Sequence, residues 1–283
     1  MITRLDHFVL ICPDIEAGVG AYETLLGAPP AWRAEDAQMG SATALFKVDN
    51  TAIELMAPTG EGLVGARLSE MLDDTGPALT SLAYEVPNID MAHHAFGRRG
   101  LVPSEIGDGE STDIASGETR TWKRFRCADV ACAGVKSFVL QYTEDCLPAR
   151  EVAAGGVTSL DHLVINTPNP ERAIALYGAR LDLRFALDRT AEQWKTRFMF
   201  FRTGGLTLEV IHRLGSEDNA DAVDTIWGLT WAVADLGAAH ERLAAAGLTV
   251  SDIRKGRKPG STVFTVKDGT LGVPTLFIAH EGA

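Results

Sequence analysis

The 283-residue chain sets 26 Lys and Arg against 38 Asp and Glu, a formal net charge of −12, which excludes a general attraction to nucleic acid or to an anionic membrane surface. A composition of 46% hydrophobic and 23% charged residues describes a globular protein with a well-filled core and length enough for two domains of ordinary size. No stretch approaches the roughly 20 consecutive apolar residues that a membrane span needs.

The N-terminus has no charged and then apolar leader, and a cytoplasmic location is the expectation. Cys12, Cys127, Cys132 and Cys146 show no CxxC spacing, so they read as reduced, structural thiols rather than a disulfide framework. Residues 3–12 have strand character. Asp14 then caps a helix to Leu26, whose Ile15, Val19, Tyr22 and Leu26 recur at three and four, and Gly27 with Pro29-Pro30 stops it. Strands follow around residues 31–33, 42–48 and 52–56, making a β-α-β-β-β unit. Residues 59–78, rich in Gly, Asp and Thr, read as a connection. A second unit runs through a strand at 79–86, an Asn88-Ile89-Asp90 turn, a helix at 91–99, a long loop at 107–118, and strands at 122–127 and 137–142.

Residues 150–157 read as the linker. A third unit places a strand from Ser159, a helix over 170–180, and strands at 184–188, 198–202 and 206–211. The fourth has strands at 229–233, 249–253, 262–266 and 275–278 around a helix at 236–246. The expected domains are 1–149 (units at about 1–58 and 79–145) and 157–283 (units at about 157–213 and 226–281), an α+β fold of four tandem βαβββ units closing into two cups with the helices outside.

One motif occurs twice. Leu5-Asp6-His7 opens the first strand and Leu160-Asp161-His162 opens the third unit's strand, each ending at a Pro-Asx turn. Forty-seven residues after each histidine stands a glutamate, Glu54 and Glu209, in a later strand of the same unit. With these repeats the chain resembles the vicinal oxygen chelate superfamily of glyoxalase I, bleomycin- and fosfomycin-resistance proteins, epimerases and extradiol dioxygenases. Residues 4–58 with 120–142 look most like a glyoxalase-like branch, and 159–278 like an ordinary glyoxalase-type domain. The resemblance implies a curved sheet that holds a divalent metal (zinc, nickel, manganese or iron) through His7, Glu54, Gln141, His162 and Glu209. Imidazole and carboxylate on neighbouring strands bind such an ion while leaving positions for substrate oxygens, and a carboxylate can then move a proton.

The chain departs from that pattern in its even units. Ser81 falls where the first unit has His7, Gln141 falls near the place of Glu54, and the fourth unit offers Gly228 and about Ala279. The fourth unit's first strand carries no histidine, which argues against an extradiol dioxygenase. Pairing of the first unit with the second gives one cup with His7, Glu54 and Gln141 and another with His162 and Glu209 alone. Pairing of the first with the third gives a full two-His, two-Glu set. Tandem neighbours usually pack together, which favours the first arrangement and makes the first cup the expected active one.

The function expected is a metal-dependent isomerase or lyase acting on a small oxygen-rich metabolite, with Glu54 and Glu209 as catalytic carboxylates and Arg197, Trp122 and Tyr142 against the substrate. A metal-free small-molecule binding or resistance protein is the alternative, and an extradiol-type dioxygenase the second. The expected partner is the small-molecule substrate, without nucleic acid or membrane, on a monomer or homodimer. The basic stretch Arg254-Lys255-Gly256-Arg257-Lys258 stands out in so acidic a chain, as a solvated loop or a grip on a substrate carboxylate or phosphate.

Overall fold

Four helices begin at an Asx residue whose side chain accepts from the backbone N–H three residues on: Asp14 from Ala17, Asn88 from Met91, Asn169 from Arg172 and Asp235 from Ala238. Each cap satisfies a donor that the helix start would otherwise leave unpaired and turns the chain from strand to helix at the same point of every repeat. The computed structural model describes residues 1–144, 147–148, 151–215 and 222–280.

The first half runs β1 (Arg4–Ile11), α1 (Ile15–Leu26), β2 (Trp32–Asp36), β3 (Ser41–Val48), β4 (Thr51–Pro58), α2 (Leu63–Thr75), β5 (Ala78–Glu85), α3 (Ile89–Arg98), β6 (Gly107–Thr112), β7 (Thr119–Arg126) and β8 (Lys136–Glu144). The second half has β9 (Val157–Asn166), then α4 (Pro170–Ala173), which widens into π-helical turns over Ile174–Arg180. After it come β10 (Arg184–Ala191), β11 (Thr196–Thr203), β12 (Leu206–Arg213), β13 (Thr225–Val233), α5 (Leu236–Ala245), β14 (Arg254–Lys255), β15 (Ser261–Val266) and β16 (Thr275–His280).

Two eight-stranded mixed sheets result, in the orders β2-β3-β4-β1-β5-β8-β7-β6 and β10-β11-β12-β9-β13-β16-β15-β14. In each, the strand carrying Leu-Asp-His lies between a parallel neighbour bearing the glutamate and an antiparallel neighbour from the following repeat. The first repeat therefore shares a sheet with the second, and the third with the fourth. Three elements differ from the sequence expectation. Residues 63–75 form α2 rather than a connection, residues 107–112 form the edge strand β6, and residues 249–253 make only a single bridge, Val250 to Val266.

Alternation along the strands sends one set of side chains to the helices and the other to the concave face. Phe8, Leu10, Ile53 and Leu55 join a core that is continuous with Leu163, Leu208 and Trp231 of the second half, and the Phe8 and Trp231 rings lie 6.2 Å apart. Two guanidiniums cross between the halves. Arg180 donates to the carbonyls of Arg99, Gly100 and Ala131, and Arg242 to those of Thr24, Leu25 and Gly155. Each thereby closes the carbonyl end of a helix in the other half, where cations are favoured. The Asn50 side-chain amide adds two hydrogen bonds to the backbone of Leu160, donating to its carbonyl at 2.8 Å and accepting from its N–H at 3.0 Å. Cys12, Cys127 and Cys132 are free and buried, and burial pushes the Cys12 thiol up to about 11, as expected of inert structural thiols. Cys146 lies outside the described residues. No helix is long and apolar enough to cross a membrane among the described residues.

Candidate functional site

The two Leu-Asp-His motifs build nearly the same local network. In the first half, His7 Nδ1 lies 2.7 Å from Asp6 Oδ2 and His7 Nε2 lies 3.4 Å from Glu54 Oε2. In the second, His162 Nδ1 lies 2.6 Å from Asp161 Oδ1 and His162 Nε2 lies 3.3 Å from Glu209 Oε2. The forty-seven-residue spacing is thus the chain length needed to leave one strand, cross the helix and hairpin, and return in the adjacent parallel strand. Each aspartate is held by further partners. Asp6 accepts from Tyr142 Oη at 2.9 Å and from Arg4 at 3.1 Å. Asp161 accepts from Lys258, and its Oδ2 lies 2.8 Å from His280 Nε2. Burial works to raise the Asp161 carboxyl, but hydrogen bonds from His162, Lys258 and His280 outweigh it and hold the carboxyl well below the usual range. In the first half, burial opposes the charge on His7, yet the Asp6 bond and the Glu54 carboxylate raise the imidazole above its ordinary value.

The surroundings of the two networks differ sharply. Above His162 and Glu209 opens a cavity of about 920 Å³, walled by Val164, Trp194, Phe198, Phe200 and Ile211 and bounded at β13 by Trp227, Gly228 and Thr230. Thr230 Oγ1 is 2.9 Å from His162 Nε2. The first sheet's concave face is filled by its own chain. Helix α2 lays Val64, Leu68, Met71 and Leu72 on Val9, Ile11 and Met56. Beside it, the Arg120 guanidinium sits 5.5 Å from the Trp32 ring and 4.7 Å from the Tyr142 ring, and Trp122 meets Tyr142 edge-on at 6.2 Å. A pocket of only about 30 Å³ adjoins Asp6. The cup expected to be active from the sequence is the plugged one, and the cup expected to be degenerate is open.

Gln141 is not beside Glu54. Its side-chain oxygen accepts from the Ile89 backbone N–H at 2.8 Å, on the helix side of β8, where it helps to close the start of α3. Ser81 stands across the ladder from Val9, the residue that pairs with Glu54, and its hydroxyl bonds to Thr80. Arg197 also faces away from its cup. Its β11 neighbours Thr196, Phe198 and Phe200 line the cavity, while Arg197 pairs with Asp188 at 2.7 Å and Glu171 at 2.6 Å. Trp122 and Tyr142 do reach the His7 network, as filling rather than as walls of a cavity. His280 is the residue missed from sequence. It serves Asp161 as Tyr142 serves Asp6, each from the last strand of its sheet, and that equivalence is legible only once the β8 and β16 repeats are superposed.

The repeated pair in each sheet, His7 with Glu54 and His162 with Glu209, is metal-capable. Among the residues that line the second cup, the even repeat contributes Gly228, Thr230, Leu276 and Ile278 but no imidazole or carboxylate, and its His280 turns Nε2 to Asp161. Among the described residues no group of three or more His, Cys, Asp and Glu side chains converges. A resident zinc, nickel, manganese or iron ion usually takes three or four protein ligands, and this donor set does not fit one.

The family described as "Glyoxalase-like domain" matches residues 5–182, and that described as "Glyoxalase/Bleomycin resistance protein/Dioxygenase superfamily" matches residues 161–264. An ethylmalonyl-CoA/methylmalonyl-CoA epimerase of Cereibacter sphaeroides is 31% identical over 118 residues, 42% of this chain and 85% of the epimerase. Among solved structures, a mutant 4-hydroxymandelate synthase from Streptomyces coelicolor superposes with a TM-score of 0.70 at 12% identity, over 100% of this chain and 94% of the other. A hypothetical protein from Staphylococcus aureus superposes with a TM-score of 0.63 at 8% identity, over 98% and 99%. At such identities these two likenesses concern the fold, which is that of the vicinal oxygen chelate proteins. With a match over more than half its length, the chain belongs to the glyoxalase-like domain family, within the glyoxalase/bleomycin resistance protein/dioxygenase superfamily.

Proposed function

We propose that the second cup is the working site, and that it binds a small oxygen-bearing metabolite and moves a proton on it, as an epimerase or isomerase does. The observation that carries this reading is the Asp161–His162–Glu209 chain at the foot of the 920 Å³ cavity. Glu209 Oε2 and His162 Nε2, 3.3 Å apart, can hold one proton between them. Glu209 takes it from a carbon next to a carbonyl, and His162, its ring oriented through Nδ1 by Asp161, accepts it or returns it. Thr230, within 2.9 Å of the same Nε2, keeps that nitrogen in a hydrogen bond while the cup is free of ligand. Positioned general acid–base catalysis of this kind contributes about 10²–10⁴-fold. The epimerase likeness supports the same reaction class.

Incubation with a small-molecule extract in deuterated water tests the proposal. The wild type should exchange one carbon-bound hydrogen of at least one compound, read as a mass increase of one. Glu209→Gln and His162→Ala should lower that exchange by about 10²-fold or more, and His7→Ala should leave it intact. A compound retained by the protein without deuterium uptake would favour the second reading, a metal-free binding protein, to which the two-donor set is equally suited. Metal content bears on the chemistry as well. Tag-free protein should hold far less than one equivalent of divalent ion, and a full equivalent lost in His162→Ala would restore the metal-dependent mechanism.

A further inference from the structure

The walls of the second cup have a charge that proton transfer does not use. Six lining residues are cationic, Arg189, Arg202, Arg213, Arg254, Arg257 and Lys258, against one carboxylate, Glu209, in a chain of net charge −12. Lys258 is matched by Asp161, and Arg213 donates to Thr196. Arg189, Arg202, Arg254 and Arg257 have no carboxylate partner among the described residues. Like charges gathered around an apolar cavity repel one another, and their field is concentrated by the low-dielectric walls onto whatever enters. A guanidinium at such a place presents a planar fork suited to an oxyacid group.

The apolar part of the cavity has a direction. Phe200 pairs across the ladder with Glu209, and Phe198 with Ile211. The Phe198 and Phe200 rings stack at 6.3 Å and 14°, Trp194 meets Phe198 edge-on at 6.0 Å, and the Arg257 guanidinium lies 4.2 Å above the Trp194 ring. Arg189 pairs across the ladder with Phe198. At about 3.3 Å per strand residue, the ledge from Phe200 back to Thr196 at the start of β11 is roughly 13 Å long, with the proton-transferring pair at one end and the guanidinium of Arg257 at the other. Leu187 and Trp227, which also line the cavity, are large apolar side chains left exposed.

Resting on the reading of the second cup as the working site, we propose that its substrate is an organic anion. Its ring-sized or longer apolar body lies along Phe200, Phe198 and Trp194, and its oxyacid group, carboxylate or phosphate, is held by Arg189 and Arg257. Arg257 shields the Trp194 face in the free protein and turns from it to the acid on binding.

A pair of dyes sharing one ring skeleton tests this in fluorescence titrations. Anilinonaphthalene sulfonate carries the acid group, and N-phenylnaphthylamine lacks it. The full-length protein should bind the sulfonate about tenfold more tightly at low salt, with the preference shrinking as salt is added. The Arg189→Gln/Arg257→Gln double variant, two surface changes that leave the core untouched, should bind the two dyes alike. Displacement of the bound dye by naphthoate or by naphthyl phosphate then tells which oxyacid is preferred. Equal affinity of the wild type for the two dyes, or an unchanged preference in the double variant, overturns the proposal. Glu209→Gln should keep the dye preference while losing deuterium exchange, so loss of one result leaves the other standing.

Discussion

Asp113 shows what a single side chain can organise at the residue scale. Its carboxylate accepts from the backbone N–H groups of Arg33, Ala115 and Ser116 and from the Ser116 hydroxyl, at 2.8 to 3.2 Å. Burial raises its carboxyl, but these donors outweigh the cost and leave it below the ordinary range. A carboxyl lowered in the folded state stabilises the fold above its unfolded pKa, and that contribution is lost as pH falls through the folded value. Asp113→Ala should therefore cost about 2 kcal/mol at pH 7, and the difference from wild type should shrink below about pH 4, as read from urea midpoints at both pH values. Residue-scale legibility ends at strand parity. The His162 and Glu209 pair was readable because its spacing is conserved between two copies within one chain. Gln141 and Arg197 were misplaced because a one-residue uncertainty in register reverses the face of a strand. Either neighbour of Gln141, Leu140 or Tyr142, belongs to the opposite face.

Helix α2 decides which cup is open at the scale of elements. Its apolar residues Leu63, Val64, Leu68, Met71 and Leu72 recur at helical spacing, a signal that the flanking Gly and Asp residues obscured. Its first turn is pinned by Val64 and Gly65 N–H groups on the Met39 carbonyl and by close backbone approach. A Cβ on Gly65 would come within 2.2 Å of the Gly40 and Gly60 carbonyl oxygens, and backbone atoms cannot step aside as a flexible side chain can. Gly65→Ala should cost more than about 2 kcal/mol while leaving dye binding at the second cup unchanged, which urea unfolding and titration of the same sample would establish. The caps are the most legible elements. Asp14, Asn88, Asn169 and Asp235 each follow a strand and open a helix, and Asp14→Ala should cost about 1 kcal/mol, the usual loss for a side-chain N-cap. The edge strand β6, Gly107–Thr112, was unreadable because Gly, Asp, Glu, Ser and Thr carry no apolar alternation; its pairing with β7 comes from the rest of the sheet.

The two halves are held as one body by Arg180, Arg242 and the shared core, at the scale of the whole molecule. Arg242 reaches the last carbonyls of α1 from more than two hundred residues away in sequence, a contact that no local pattern announces. Burial lowers the Arg242 pKa from its ordinary value, but the guanidinium remains charged throughout the physiological range. Arg242→Ala leaves those carbonyls without their partner and should lower stability by about 2–3 kcal/mol, with a single unfolding transition retained in calorimetry because the apolar core still runs through both halves. The same continuity makes the covalent join between β8 and β9 one attachment among several, since Arg180, Arg242, Asn50 and the Phe8–Trp231 contact also cross between the halves. A chain cut there should behave as a two-piece protein, its parts recognising each other as subunits do and restoring an intact second cup when they are made separately and mixed.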